Sequence, residues 1–246
     1  MIKIITLLTK FILIVLTAIL FSSCNQSGNW NAIEGSGNIT TEKRNISGNF
    51  TNVEVNNGID LVIEQSETTE VTVETDDNLQ EYITTAVENG TLIISFDKNS
   101  FIDLSTKKVR VKMPTIEELE ATSSSNISSK NIILGENIRL HSSSGGTIRV
   151  DLEADIITCG SSSGSNILIS GKALELKTTA SSGSDIKARN LLANLVSADV
   201  SSGASINVHP IINLTAQASS GGNITYVVEP KTIDKNVSSG GSVNKG

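Results

Sequence analysis

The side chains that could act as acids or bases are few, and their spacing does not match a catalytic motif. Hydrolysis of a glycosidic bond needs two carboxyl groups at a set separation across the substrate. Asp151, Glu153 and Asp155 alternate along one segment, and Asp185 and Asp199 follow further on. When the repeats described below are aligned, no column contains several acids. We therefore interpret these carboxylates as solvated outer-face charges that discourage aggregation, and we predict no catalytic residue.

The other candidates for site chemistry are two histidines and one short acidic segment. His141 and His209 have no G-x-S-x-G context for a nucleophilic serine and no nearby cysteine pairs for zinc. Asp76-Asp77-Asn78 has oxygen ligands that suit Ca²⁺, but its spacing is not that of an EF-hand or of Gly-rich Ca²⁺-binding repeats. A simpler interpretation is that this segment caps a short helix. We predict neither a metal site nor a cofactor.

The N-terminus has the pattern of an export signal. Lys3 and Lys10 precede an apolar run from Phe11 to Phe21, which is too short to span a membrane comfortably. Small residues then precede Cys24, as in the bacterial lipobox, in which the cysteine is lipidated and becomes the first residue. The alternative is an ordinary secretory signal that leaves Cys24 as a chance thiol. A free thiol at such a junction is unusual in an exported chain, so lipidation of Cys24 is favoured.

These features divide the chain into three parts. We predict a lipoprotein signal peptide at 1–23, a flexible tether rich in Gly, Ser and Asn at 24–36, and a single domain at 37–246. Two or three acyl chains anchor stably, because each buried CH₂ contributes about 0.8 kcal/mol. The expected location is the bacterial cell envelope, with the lipid in the outer membrane.

Composition narrows the classes of partner. The chain has 246 residues and a formal net charge of −7, with 38% hydrophobic but only 3% aromatic residues. Because DNA and RNA binding needs a basic footprint, no nucleic-acid partner is expected. Two cysteines cannot build a disulfide scaffold. The shortage of aromatic rings also argues against a sugar-cleaving groove, which normally needs stacking platforms.

The second half of the chain repeats one short segment seven times. Each copy is a Ser-rich turn, mostly Ser-Ser-Gly, that ends in a polar residue and an aliphatic one. The aliphatic residues are Ile127, Ile148, Ile167, Ile186, Ile206, Ile224 and Val243, spaced 21, 19, 19, 20, 18 and 19 residues apart. Residues on both sides of the turn alternate as in strands, and a leucine-rich-repeat pattern is missing. The spacing therefore predicts a β-solenoid with coils of about 19–20 residues.

Aligned copies give columns that should point into the tube and stack from coil to coil. The glycine of each turn is expected to supply the positive φ. Cys159 falls in an inward column and should be a buried thiol, whereas Lys235 in the same column marks the last coil as a cap. The two columns before the turn are Ile138, Ile157, Leu176, Val196, Leu214 and Ile233, and Leu140, Cys159, Thr178, Ala198, Ala216 and Lys235.

A polar column stands just before the aliphatic one. Its members are Asn126, Thr147, Asn166, Asp185, Ser205, Asn223 and Ser242. Stacked amides of this kind stabilise cross-β structures, but a ligand-binding stripe would use the same residues. Because every member is a turn-forming residue, we favour the structural role. Asn126, Asn166, Asp185 and Asn223 remain the candidate ligand-facing positions.

The first half is also predicted to be β, without the repeat. Alternating segments are separated by turn signals at Asn56-Asn57-Gly58 and Asn89-Gly90. Only residues 77–88 have a helical pattern, in which Leu79, Ile83 and Val87 share a face. One short helix is therefore expected near 77–88.

A set of these motifs resembles the GIN-domain family of bacterial envelope proteins. The resemblance rests on Phe50-x-x-Val53-x-Val55 running into Asn56-Asn57-Gly58-Ile59, on Asn89-Gly90, on Val111-x-Met113-Pro114, and on the Ser-Ser-Gly coils. It extends from about Gly37 to the C-terminus. The resemblance implies a right-handed parallel β-helix and a relation to the head domains of autotransporter adhesins, often as envelope lipoproteins, but no established biochemical role.

These observations predict a lipid-anchored, non-enzymatic module of the cell envelope that adheres to a glycan or a protein. Two alternatives stay open. One is a carbohydrate-active β-helix, such as a polysaccharide lyase or hydrolase, which requires a cleft with two close carboxylates. The other is a structural envelope subunit that forms homo-oligomers through an end or edge of the stack.

Overall fold

The computed structural model describes residues 10–12, 14, 15, 17, 33–97, 101, 102 and 105–246. The described residues between Lys10 and Thr17 are helical. Within the described part of the chain, no helix is both long enough and apolar enough to cross a membrane. Cys24 and most of the predicted signal peptide and tether lie outside the described residues.

From Ile33 onwards, the described residues form nineteen strands and one 3₁₀ helix. The short β1 pairs with β8, and all other strands belong to one sheet that winds around the core. The strands are β1 (Ile33–Glu34), β2 (Ile39–Arg44), β3 (Asn52–Val55), β4 (Asp60–Gln65), β5 (Glu70–Asp76), β6 (Ile83–Glu88), β7 (Thr91–Phe96), β8 (Phe101–Ile102), β9 (Lys107–Met113), β10 (Glu118–Ala121), β11 (Asn126–Ser129), β12 (Ile133–Ser142), β13 (Thr147–Ser161), β14 (Asn166–Ala180), β15 (Asp185–Val200), β16 (Ser205–Ala218), β17 (Asn223–Tyr226), β18 (Thr232–Val237) and β19 (Ser242–Lys245).

From β10 onwards the strands stack in parallel as the coils of a solenoid. Each long strand from β13 to β16 leaves one Ser-rich turn, bends midway, and arrives at the next turn. The strand entering a turn pairs with its equivalents in neighbouring coils, and so does the strand leaving it. The predicted all-β solenoid is confirmed.

The Ser-rich turns, called the corner from here on, have two consecutive residues in the left-handed conformation. At 143–146, Ser144 has φ 50° and Gly145 has φ 75°, and Gly146 N donates to Ser143 O at 2.9 Å. This is the geometry of a type I′ turn. Positive φ is therefore not confined to the glycine, as the sequence predicts, because a serine adopts it in every copy.

Hydrogen bonding between coils explains why the serine accepts this conformation. Gly145 N donates to Ser163 O of the next coil at 3.1 Å, and Gly164 N donates to Ser182 O at the same distance. The same bond recurs at Gly183, Gly203 and Gly221. A left-handed serine costs about 1–2 kcal/mol, but the turn thereby places the glycine amide where it can donate to the next coil, and the ladder continues through the corner.

The predicted inward columns form the core. Ile138 pairs with Ile157, Ile157 with Leu176, and the register continues to Ile233 as expected. The second column runs in register from Leu140 to Lys235. Cys159 is 1% exposed, and burial raises the pKa of its thiol to about 12, so it is an inert core residue.

The N-terminal end of the tube is closed by antiparallel strands. β3 and β4 form the first coil around Asn57 and Gly58, and they pair in parallel with β7 and β9. The strands β2, β5 and β6 then add in antiparallel fashion, so the stack does not continue. Lys107 Nζ donates to Asn57 O at 2.9 Å and so caps the end of the corner ladder.

The helix predicted near 77–88 is only half right. A 3₁₀ helix covers Asp77–Tyr82, but Ile83–Glu88 is strand β6. The β-branched side chains of this segment favour an extended chain, and Asn89-Gly90 turns it back so that β6 pairs with β7. The helical spacing of Ile83 and Val87 was therefore overridden by hairpin formation.

Lys235 closes the other end of the core, as predicted. Its Nζ lies 4.7 Å from the centre of the Tyr226 ring and donates to the Tyr226 hydroxyl at 3.0 Å. A further hydrogen bond reaches Val243 O at 3.4 Å. The ammonium group thus covers the last inward column while it keeps hydrogen-bond partners.

Each coil also has a second bend, which the sequence does not reveal. The alternation of buried and exposed residues breaks between Leu152 and Ile157 in β13 and at corresponding positions in β14 and β15. Gly171 lies here with φ 121°, and a Cβ at this residue would be 1.9 Å from Leu152 O. We call the region that begins at Leu152, Gly171 and Leu191 in successive coils the second bend.

Candidate binding groove

The polar column, for which a structural ladder is favoured and a ligand-facing stripe is the alternative, lies at the corner, in register from coil to coil. Asn126 pairs with Thr147, Asn166 with Asp185, and Asn223 with Ser242, all at half-buried to exposed positions. Direct side-chain bonds along the column occur at its ends: Asn126 Nδ2 to Asp60 Oδ1 at 2.8 Å and Ser242 Oγ to Asn223 Oδ1 at 2.6 Å. Asp185 instead forms an ion pair with Lys187 at 3.0 Å.

The column is therefore not a continuous amide ladder. Between Thr147 and Ser205 no side-chain bond joins neighbouring members. Asp185 Oδ1 is buried without a hydrogen-bond partner among the described residues. The repeated corner brings these residues into line but gives them no concave site.

The candidate acids are divided between different surfaces. Asp151 is on the face that follows the corner and accepts a hydrogen bond from Ser170 Oγ. Glu153 and Asp155 border a shallow groove at the second bend, where Glu153 pairs with Lys172 at 3.6 Å. Asp199 lies on the strand that enters the corner. Within the described residues, no three His, Cys, Asp or Glu side chains group as a metal site would require.

The segment Asp76-Asp77-Asn78 holds two parts of the chain together. Asp76 makes no side-chain cap bond, contrary to the capping interpretation, and its carboxylate accepts from Gly37 N at 2.7 Å and from Ser105 Oγ at 3.0 Å. Burial raises the pKa of Asp76, but these hydrogen bonds outweigh it and hold the pKa below its ordinary value. Asn78 Nδ2 donates to Glu34 O at 2.8 Å. The segment therefore anchors residues 34–38.

The two histidines lie in different places, and each has a structural contact. His141 is exposed and lies against Gly160, where a Cβ would be 3.0 Å from its Nδ1. His209 Nδ1 lies 3.2 Å from Arg189 O. Since Arg189 belongs to a segment that leaves the ladder, His209 supports that segment from the neighbouring coil.

A groove runs along the outer face between the corner and the second bend, and no sequence motif pointed to it. Its volume is about 560 Å³. Five of its lining residues occupy one register position on successive coils, from Ser128 to Asn207. At about 4.8 Å per coil, this row is roughly 19 Å long. The row consists of Ser128, Arg149, Leu168, Lys187 and Asn207.

A β-bulge builds one wall of the groove. Leu168 pairs with Lys187 but Ser170 pairs with Asn190, so β15 has one extra residue here. On its other side, Arg189, Asn190 and Leu191 have no register partner in β16. Bulges re-aim side chains, and this one places Arg189 and Asn190 at the groove.

The charge of the groove is opposite to that of the chain. Arg149, Lys187 and Arg189 line it, with Asp151 as the single carboxylate. Lys187 pairs with Asp185 at 3.0 Å. Among the described residues, neither Arg149 nor Arg189 is in an ion pair. The only trace of the bulge in the sequence is the 20-residue spacing from Ile186 to Ile206.

Comparison with known proteins decides the family. The sequence profile described as "Putative auto-transporter adhesin, head GIN domain" matches residues 49–230. The chain belongs to this family. No curated protein matches the chain. The GIN-domain resemblance found in the sequence is thereby confirmed.

Solved structures share the GIN-domain fold. A "putative adhesin" from Bacteroides fragilis superposes with a TM-score of 0.82 at 20% identity, over 87% of this chain and 100% of that one. A "Putative lipid binding protein" from Parabacteroides distasonis gives 0.72 at 22% identity, over 87% and 99%. A "putative adhesin" from Parabacteroides merdae gives 0.71 at 20% identity, over 87% and 99%. At these identities the likeness concerns the fold alone.

Proposed function

We propose that this GIN-domain protein is a non-enzymatic adhesive module of the bacterial cell envelope that binds a glycan or a protein. The observation that carries the proposal is membership of a family described as an adhesin head domain. The solenoid supports it, because stacked coils present long, rigid rows of side chains to an extended ligand. In the described residues the candidate acids are spread over several surfaces, which favours binding over catalysis.

The proposal includes a lipid anchor at Cys24 in the outer membrane. Its support is the apolar run from Phe11 to Phe21 followed by small residues and a cysteine. A lipid at the N-terminus together with the tether would hold the solenoid close to the membrane while leaving its faces accessible.

Replacement of Cys24 tests the anchor. We expect Cys24→Ser to move the protein from the membrane fraction to the soluble fraction, because the acyl chains are lost. Cys159→Ala removes the other cysteine, which is buried in the core, and should leave the protein in the membrane fraction. Membrane retention of Cys24→Ser would refute lipidation at this residue.

Adhesion is tested with the purified full chain on a glycan array and in pull-downs from envelope extracts. Saturable binding to a glycan or to an envelope protein supports the proposal. Binding at background in both screens contradicts it, and self-association by light scattering in that case would favour a homo-oligomeric structural subunit. Protease treatment of intact cells then shows whether the solenoid faces outwards.

A further inference from the structure

We infer that the groove between the corner and the second bend binds an acidic saccharide, with uronate carboxylates or sulfate groups held by Arg149, Lys187 and Arg189. This inference deepens the proposed adhesive function and rests on it.

Cationic groups are concentrated on one face of an acidic chain. The chain has a formal net charge of −7, yet three cationic side chains and one carboxylate line this groove. Asp151 is engaged by the Ser170 hydroxyl, and Lys187 has Asp185 beside it. Among the described residues, neither Arg149 nor Arg189 has an ion-pair partner. Their guanidinium groups are therefore available for an external anion. A guanidinium matches a carboxylate or sulfate through two parallel hydrogen bonds.

The spacing of the cations suits a ligand with more than one acidic group. Arg149 and Lys187 occupy the same register position two coils apart, which is about 9.6 Å at ordinary strand spacing. Arg189 lies beside Lys187 on the bulge. The cations at the second and fourth positions of the row thus favour a ligand that carries repeated acidic groups along its length.

Polar residues line the groove around the cations. Ser128, Ser129, Ser170, Asn190 and Asn207 contribute hydroxyl and amide groups. These groups can donate and accept hydrogen bonds, as sugar hydroxyls require. A groove of about 560 Å³ falls within the range of small-ligand sites.

The lining also separates this ligand from other anions. The groove has no aromatic ring among its lining residues, whereas single-stranded nucleic acid is bound through base stacking. Anionic membranes attract clusters of basic residues at an exposed surface, and this site is concave and mixes cations with amides. Because the groove has no aromatic ring, it offers a neutral sugar no stacking surface. Recognition of a saccharide here must therefore depend on charge.

The test measures binding of the purified full chain to tetragalacturonate, to its methyl ester, and to a sulfated oligosaccharide. Wild type should bind the acidic probes and not the methyl ester, which keeps the shape but loses the charge. Arg149→Ala with Arg189→Ala should weaken binding at least tenfold for each arginine, since each hydrogen-bonded charge pair contributes about that factor. Arg149→Lys with Arg189→Lys keeps the charge and should weaken binding less.

Arg110→Ala with Arg139→Ala is the matched control. Both arginines are exposed, lie outside this groove and pair with Glu74 and Glu118, so the same loss of charge should leave binding unchanged. Thermal unfolding of every variant checks that the fold is retained. Equal binding by the alanine double variant, equal binding of the methyl ester, or no binding of either acidic probe to wild type would overturn the inference. Binding only to anionic phosphatidylglycerol vesicles would assign the groove to lipid instead.

The same measurements separate this inference from the proposed function. If wild type and the alanine double variant bind tetragalacturonate equally, or wild type binds no acidic probe, the groove assignment fails, and the adhesive function stands as long as wild type binds a neutral glycan or an envelope protein. If the groove binds tetragalacturonate but cells that display the protein adhere no better than cells without it, adhesion fails and the groove assignment stands.

Discussion

The two bends of each coil differ in regularity. At the corner, one hydrogen-bonded turn recurs with the same two left-handed residues, and its outermost residues are serine and glycine. At the second bend and in the residues just before it, the register shifts between β14 and β15 and again between β15 and β16. Exposed side chains there include Leu174, Leu192 and Ile211.

This difference indicates which bend can discriminate between ligands. The corner uses its amide and carbonyl groups to join neighbouring coils, so a ligand would meet a uniform row of small side chains. The bulge at Arg189 departs from that uniformity and gives one face of the solenoid a concave, cationic surface. Regular repetition stabilises the tube, and a local departure from it creates the candidate site.

The contrast is tested most strongly by adding one methyl group at each bend. Gly171→Ala at the second bend should lower the free energy of unfolding by roughly 3–5 kcal/mol, since strain and overpacking each cost 1–3 kcal/mol and the Cβ would meet Leu152 O. Gly164→Ala at the corner should cost only about 1–2 kcal/mol, because its φ is 69° and no atom lies within 4 Å of the added Cβ. Urea unfolding of both variants measures the difference. Equal losses would show that the two bends are equally constrained.

Buried serines beneath the corner provide a second, smaller test. Ser184 Oγ donates to Ser161 O at 2.7 Å, whereas Ser142 Oγ is buried without a hydrogen-bond partner among the described residues. Ser184→Ala should therefore lower the free energy of unfolding by about 1 kcal/mol, and Ser142→Ala should leave it unchanged or raise it. Thermal unfolding curves of the two variants compare them directly. A larger loss for Ser142→Ala would mean that the coils of the corner are not joined in the way described.

The corner could be predicted from the sequence because its signal is repeated. Seven copies fix the period, and alternation on each side fixes which residues point inwards, so the columns from Ile138 to Ile233 and from Leu140 to Lys235 were correct. The positive φ of the serines was missed because it follows from bonds between coils, which one copy cannot show. Similarly, the helical spacing of Ile83 and Val87 could not reveal that this segment would pair with β7 as a strand.

The groove could not be predicted for a different reason. Arg149 and Lys187 are 38 positions apart in the sequence. They share a face only because this separation equals two turns of the solenoid. The extra residue of the bulge lengthens one spacing to 20, but the number does not say where in the coil that residue lies. A site formed by a local irregularity leaves no motif, so only the register of the paired strands reveals it.

The smallest expected effect concerns Glu120, which lies outside both bends in β10, the strand that enters the first corner. Burial raises the pKa of Glu120, and Glu54 and Glu118 nearby add to this effect against the opposing influence of His141. A raised carboxyl pKa means that the folded state holds its proton more tightly, so this group lowers stability as the pH rises through that pKa. Glu120→Gln should therefore raise the free energy of unfolding slightly at pH 7, and the gain should shrink as the pH falls and vanish by about pH 3, where the wild-type carboxyl is largely protonated in both states. Glu118→Gln on the same strand also removes a charge near Glu120, but it breaks an exposed ion pair with Arg139, so the two effects oppose each other and any gain should be smaller than that of Glu120→Gln. A pH-independent gain for Glu120→Gln, measured by urea unfolding across this range, would place its origin in packing and not in charge.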